Sequence, residues 1–138
     1  MDTRQDYLKK IRPHITSAKT HDMMSSEERF QNLVLRPIIK FQSDLLVAVF
    51  KNYITKHKNI YYEYPLEKRM DYIENAIQKD IKFRNALKGT IIGLFTVAEY
   101  QMYIENASAL NKRMMQIIKE RLISCIQLLE NPEFSSVI

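Results

Sequence analysis

Two glycines and four prolines in 138 residues set the strongest limit on what this chain can become. Sandwiches, barrels and doubly wound sheets reverse direction many times, and tight reversals draw on glycine and proline. Helices joined by a few loops need far fewer. With 46% hydrophobic residues, the chain is long enough to close one core. The expectation is an all-α, single-domain helical bundle with two long helices and four to six helices in total.

Local signals place the elements. Tyr7, Leu8 and Ile11 lie at helical spacing in residues 3–12, after a possible Asp2 cap, and Pro13 ends that short helix. The stretch PHITSAKTHDMM has no period and reads as a connection, so residues 1–24 form an N-terminal segment. Ser25 and Glu28 then make a capping box that opens a long helix. Phe30, Val34, Ile38, Phe41, Leu45, Ala48 and Val49 recur every three or four positions and predict one buried face over about seven turns. Leu35, Ile39, Leu46, Phe50 and Tyr53 widen it, which suggests a central helix. Pro37 should kink or divide that helix near Leu33–Arg36, because it lacks an N–H and crowds the preceding turn.

Asn59 tolerates a left-handed backbone and Pro65 suits a helix start, so the segment KHKNIYYEYP should separate two helices. Leu66, Met70, Ile73 and Ile77 mark the next stripe. Asp80 either caps a further helix carrying Phe83, Leu87 and Ile91 or lies within a continuous one; the spacing allows both. Thr96 and Glu99 form a second capping box. Val97, Tyr100, Ile104 and Ala107 continue into Met114, Ile118, Leu122, Cys125 and Leu129, compatible with one helix of more than thirty residues whose weakest point is Asn106–Asn111. Pro132 stops it. The bundle is therefore expected over 25–131, with a frayed tail at 132–138.

Several chemistries find no support. His14, His21 and His57 are the three histidines, none has an i, i+4 partner, and with one cysteine neither a structural zinc site nor a di-iron site has its ligands, so no metal and no cofactor are expected. Cys125 falls on an apolar seam, where a thiol is ordinarily an inert small hydrophobe. Two glycines are too few for a phosphate-cradling loop. Gly89 and Gly93, four apart, read as a flat patch for close helix approach, with Ala107 or Ala109 as counterpart, or Gly93 as a helix end. No apolar run reaches the ~20 residues of a membrane span. The single cysteine and the polar start MDTRQDYLKKIRPH are what a cytoplasmic protein would show.

Net charge is +5, and the excess is N-terminal: residues 1–58 hold 11 Lys/Arg against 6 Asp/Glu. On a straight helix Arg29, Arg36, Lys40, Lys51 and Lys58 would fall within roughly sixty degrees of one another, a basic stripe that reads either as a solvated face or as a footprint on RNA, DNA or an acidic protein. Lys79, Lys82, Arg84 and Lys88 form a second basic group. Tyr61, Tyr62 and Tyr64 crowd one loop, either as interface anchors or as a lid on the core.

The segments LRPIIKFQSDLLVAVFKNYI, YIENAIQKDIKFRNALKGTIIGLFTVAEY and ASALNKRMM together resemble a small uncharacterised all-helical family of about this length, some of whose members carry an automatically transferred glyoxalase label. The resemblance covers most of residues 27–129 and implies a helical fold but no established activity. Metal-dependent glyoxalases resemble paired βαβββ modules with His and Glu ligands on strands, and those of the metallo-hydrolase type carry a dense histidine motif. This chain offers neither pattern.

The functional expectation is a non-enzymatic, cytoplasmic helical interaction module that binds another macromolecule, a protein before RNA, or a second copy of itself, through Tyr61, Tyr62, Tyr64, Lys82, Arg84, Asn85 and Lys88. An RNA- or ribosome-associated factor using the basic stripe is the alternative. A small-molecule enzyme, with Asp71, Glu74 and Tyr100 as its ionisable groups, ranks third.

Overall fold

Local chemistry decides where each helix of this chain begins and ends, and the computed structural model describes residues 3–12 and 24–130. Among them are seven helices and no strand. They are α1 (Arg4–Ile11), α2 (26–41), α3 (Ser43–Lys56), α4 (Leu66–Lys79), α5 (Ile81–Ile92), α6 (Val97–Glu105) and α7 (Ala107–Ser124), with short 3₁₀ turns at Ile60–Glu63 and Ile126–Leu129. The connection over 13–23, the Asp2 cap, His14, His21 and the tail expected at 132–138 lie outside the described residues.

The all-α expectation holds, but seven helices exceed the four to six expected, because both long helices are divided. The first breaks at Gln42, whose backbone leaves helical geometry (φ −89°, ψ 5°) while its side chain donates to the Thr90 carbonyl at 3.0 Å. The second breaks at Asn106 (φ −146°, ψ 45°), whose amide side chain reaches Glu27 instead. Asparagine readily trades helical backbone geometry for such side-chain bonds. Asp80 separates α4 from α5 (φ −89°, ψ 99°) and caps the latter, accepting from the Phe83 N–H at 3.1 Å. Residues 65–94 are thus two helices.

Capping and proline signals act where they stand. The expected Ser25–Glu28 box is half formed, with Ser25 accepting from the Glu28 N–H and the Glu28 carboxylate meeting the Ser25 hydroxyl and not its N–H, whereas Thr96 with Glu99 forms a complete capping box. Helix α1 is capped by Thr3, in a box with Asp6. Just before Pro37, residues Gln31–Leu35 form a π turn, in which the Arg36 N–H bonds to the Gln31 carbonyl five residues back. The wider turn gives the proline ring room that an α turn would deny it. Helix α3 is followed, after His57, by two left-handed residues, Lys58 (φ 63°) and Asn59 (φ 59°).

Helix α7, not the N-terminal long helix, is the centre of the bundle: it packs against α2, α3, α4, α5 and α6. Its Leu110, Met114, Ile118 and Leu122 are buried, with Met115 and Ile117 flanking them. The face expected on α2 and α3 holds along most of α2, where Phe30, Val34, Leu35, Ile38 and Ile39 are all buried, and is corrected from Phe41 onward: Phe41 and Leu45 are about half exposed and Ala48 is exposed, whereas Leu46, Phe50 and Ile54 are fully buried. Both rows of α3 have helical spacing; after the Gln42 break the second one points inward.

The glycine patch is a correction too. A Cβ placed on Gly89 meets nothing within 4 Å, and one on Gly93 would meet only the Gly89 carbonyl of its own helix, so neither lies against a neighbouring helix. Gly89 sits mid-helix with ordinary negative φ. Gly89→Ala is therefore expected to stabilise the protein by about 0.5–1 kcal/mol, read from urea unfolding.

Helix α1 is strapped to the turn between α5 and α6. Arg4 donates to the Gly93 carbonyl (2.8 Å) and the Phe95 carbonyl (2.7 Å). Arg12 holds Glu99 with two nitrogens and also reaches the Leu94 carbonyl at 3.1 Å.

Candidate functional site

Where α3 ends, the chain turns through YYEY and re-enters the bundle as α4, so the C-terminus of α3, the face of α4 and the start of α5 leave an open cleft between them. The cleft has a volume of about 980 Å³ and is lined by Tyr53, His57, Ile60, Tyr64, Lys68, Asp71, Tyr72, Asn75, Ala76, Lys79, Asp80, Ile81 and Lys82. On α4, positions 68, 71, 72, 75, 76 and 79 share one helical face, which is why they line it together.

Aromatic rings form its floor. The Tyr53 ring stacks on His57 at 4.0 Å and against Phe83 at 4.2 Å. Tyr72 meets Tyr53, Phe50 and Tyr61 edge-on at 6.3, 6.2 and 5.4 Å. Lys68, Lys79 and Lys82 stand around the rim, with Ile81 largely exposed beside them.

Three polar groups on the floor, the Tyr53 hydroxyl, Asp80 and His57 Nδ1, are already engaged. The Tyr53 hydroxyl donates to Asp80 at 3.1 Å, and the other Asp80 oxygen caps α5. Burial, reinforced by the hydrogen bond and charge of Asp80, pushes the Tyr53 phenol up to about 12, so it remains a donor at neutral pH. His57 Nδ1 lies 2.8 Å from the Tyr53 carbonyl, which fixes the ring and leaves Nε2 as its second hydrogen-bonding atom. No base is aligned on a nucleophile here, as general-base or covalent catalysis would require.

The aromatic loop divides between core and surface. Tyr61 is fully buried, which corrects its expected place on a contact surface: its ring packs on Phe50, Tyr62 and Tyr72. Tyr62 is half-buried, and its hydroxyl donates to the Leu129 carbonyl at 2.7 Å. Tyr64 alone of the three is exposed, at the cleft. Alternate burial follows from the 3₁₀ turn, which points successive side chains in different directions.

Arg69 holds this turn in place. Its guanidinium donates to the Tyr64 carbonyl (2.8 Å), the Tyr62 carbonyl (3.1 Å) and Glu130 (2.8 Å), and lies over the Tyr61 and Tyr62 rings. Nothing in the spacing of the sequence marks Arg69, because Glu130 lies 61 residues away. The Tyr61 hydroxyl is buried without a hydrogen-bond partner. An unsatisfied buried hydroxyl destabilises the folded state. Tyr61→Phe is accordingly expected to raise stability by about 1 kcal/mol in urea unfolding.

The remaining predicted residues are dispersed. Lys82 faces the cleft, Arg84 lines a different hollow against α7, and Asn85 and Lys88 lie on the outer side of α5, Asn85 exposed and Lys88 partly so. The basic stripe presupposed a straight helix, which the π turn and the Gln42 break remove. Arg29 lies beside a groove between α2 and α6 with Leu33 and Met102. Arg36 is partly buried and donates to Asn32, while Lys40, Lys51 and Lys58 are exposed. Of the three ionisable groups weighed for an enzyme, Asp71 lines the cleft, Glu74 pairs with Lys119 at 3.3 Å, and Tyr100 is exposed on α6.

Among the described residues no group of three or more His, Cys, Asp or Glu is placed to hold a metal, and no helix is long and apolar enough to cross a membrane. Cys125, partly buried, ends α7. Comparison with protein-family models, with curated proteins and with solved structures returns no match.

Proposed function

We propose that this chain is a non-enzymatic, cytoplasmic interaction module that docks an acidic segment of a partner protein in the cleft between α3, α4 and α5. The observation that supports this reading best is the cleft's lining: an aromatic floor on which the Tyr53 hydroxyl, Asp80 and His57 Nδ1 are tied up internally, beneath a rim that carries three lysines against Asp71. Aromatic floors supply contact area at little entropic cost, and rim charges steer and orient a partner of opposite sign. The cleft is open to solvent, which suits a segment of a partner chain better than an enclosed small molecule.

Selection of a random peptide display library on the purified protein tests this. Peptides with Asp or Glu flanking an apolar or aromatic anchor should be enriched. Binding of a selected peptide should fall at least tenfold in a Lys79→Glu/Lys82→Glu variant and stay unchanged in Lys40→Glu. Enrichment of basic peptides, or peptides indifferent to Lys79 and Lys82, would refute the assignment. Single-stranded RNA binding that weakens steeply with salt, with no peptide selected, would favour the RNA-associated reading.

A further inference from the structure

On α5, Arg84 faces α7. Lys112, Met115, Gln116 and Lys119 follow one another at i, i+3, i+4 and i+7, so they share one face of that central helix. With Ile77 and Gln78 of α4 these residues enclose a hollow of about 390 Å³. Three cations converge on it, and no carboxylate lines it.

The ion-pairing pattern singles out this hollow. Lys119 is held at its edge by Glu74 (3.3 Å), and Gln116 and Gln78 are held by Glu120 (3.1 Å) and Glu74 (3.4 Å). Arg84 and Lys112 have no ion-pair partner among the described residues. Arg84 is also half-buried. A half-buried guanidinium beside two ammonium groups is repelled by both, and a bound anion reverses the sign of that interaction. The apolar floor of Ile77 and Met115 lowers the local dielectric and strengthens the effect.

We infer that this hollow is a binding site for a compact phosphorylated small molecule, with the Arg84 fork on one phosphate and Lys112 and Lys119 on its neighbour. A guanidinium matches two phosphate oxygens at once, whereas the lysines act as point charges. The size of the hollow suits two or three linked phosphates and is small for a stretch of polymer. The hollow shares no lining residue with the cleft.

Isothermal titration calorimetry of the full chain with inorganic triphosphate at ~50 mM salt tests the inference. One triphosphate should bind per chain. Arg84→Gln and Lys112→Gln should each weaken binding at least tenfold, while Lys40→Gln, on an exposed residue of α2, should leave it unchanged. Should Arg84→Gln fail to fold by circular dichroism, Lys112→Gln, at an exposed position, carries the test. The inference is overturned if triphosphate does not bind, if Lys40→Gln weakens it as much as Lys112→Gln, if sulfate at equal ionic strength binds equally well, or if single-stranded RNA binds where triphosphate does not.

Discussion

Phe50→Ala is expected to lower the stability of the protein by about 4 kcal/mol, a large part of the roughly 5–15 kcal/mol that holds a domain of this size folded. The side chain is fully buried. Its ring lies 5.7 Å from Tyr53, 6.2 Å from Tyr61 and Tyr72, and 5.9 Å from Phe83. Those neighbours come from α3 itself, the 3₁₀ turn, α4 and α5, so removing the ring opens a cavity bounded by four elements that cannot all close in together. Both the lost transfer energy and the residual cavity then count. The thermal midpoint should fall by about 10–15 °C. Phe41→Ala, at a position 46% exposed, should cost less than about 1 kcal/mol. Similar losses at the two positions would mean that the buried row of these helices has been misassigned.

Arg12→Ala should cost about 2–3 kcal/mol at neutral pH, because it strands a largely buried carboxylate. Side-chain exposure is 14% for Arg12 and 13% for Glu99, and Glu99 also accepts from the Thr96 N–H at 2.8 Å. Burial alone would raise the Glu99 carboxyl; the hydrogen bonds and charge of Arg12, together with the Thr96 bond, outweigh it and hold the carboxyl below its ordinary value of 4.5. A lowered folded-state value stabilises the protein above the unfolded carboxylate range, and that contribution disappears as pH falls through the folded value. The gap between wild type and Arg12→Ala should therefore be widest at neutral pH and should narrow below about pH 4.5. Arg12→Lys should restore only part of the loss, since one ammonium cannot reproduce the two-pronged contact. A gap that stays constant with pH would show that Arg12 acts through packing alone.

What was readable in the sequence was local. Ser25 with Glu28, Thr96 with Glu99, Pro37, Asn59 and Asp80 each act within five residues of themselves, through a cap, a ring clash or a left-handed turn, and each marks a feature of the fold. Interactions between distant segments left no such trace. Arg12 meets Glu99 across 87 residues and Arg69 meets Glu130 across 61, and neither pair has a spacing to detect. The choice between two equally periodic apolar rows on α3 was likewise made by the neighbours, not by the period.

The site follows the same division. Tyr64 and Lys82 stood out as an exposed aromatic and a cation, and both line the cleft. Tyr61 looked identical to Tyr64 in sequence, yet the 3₁₀ turn and the Arg69 guanidinium above it make it core. The Tyr53–His57 stack has a sequence signal, an aromatic pair at i, i+4 spacing at the C-terminal end of α3. Arg84 was noted for its charge, but its convergence with Lys112 and Lys119 depends on how α5 packs on α7.

The docking assignment is tested most directly by recording amide NMR spectra while the labelled protein is titrated with its best selected acidic peptide. Shifts concentrated at His57, Ile60, Tyr64, Tyr72, Asn75 and Lys82, with α6 undisturbed, are the predicted result. Shifts confined to α6 or to the α2–α6 groove, with those six amides unmoved, would contradict it.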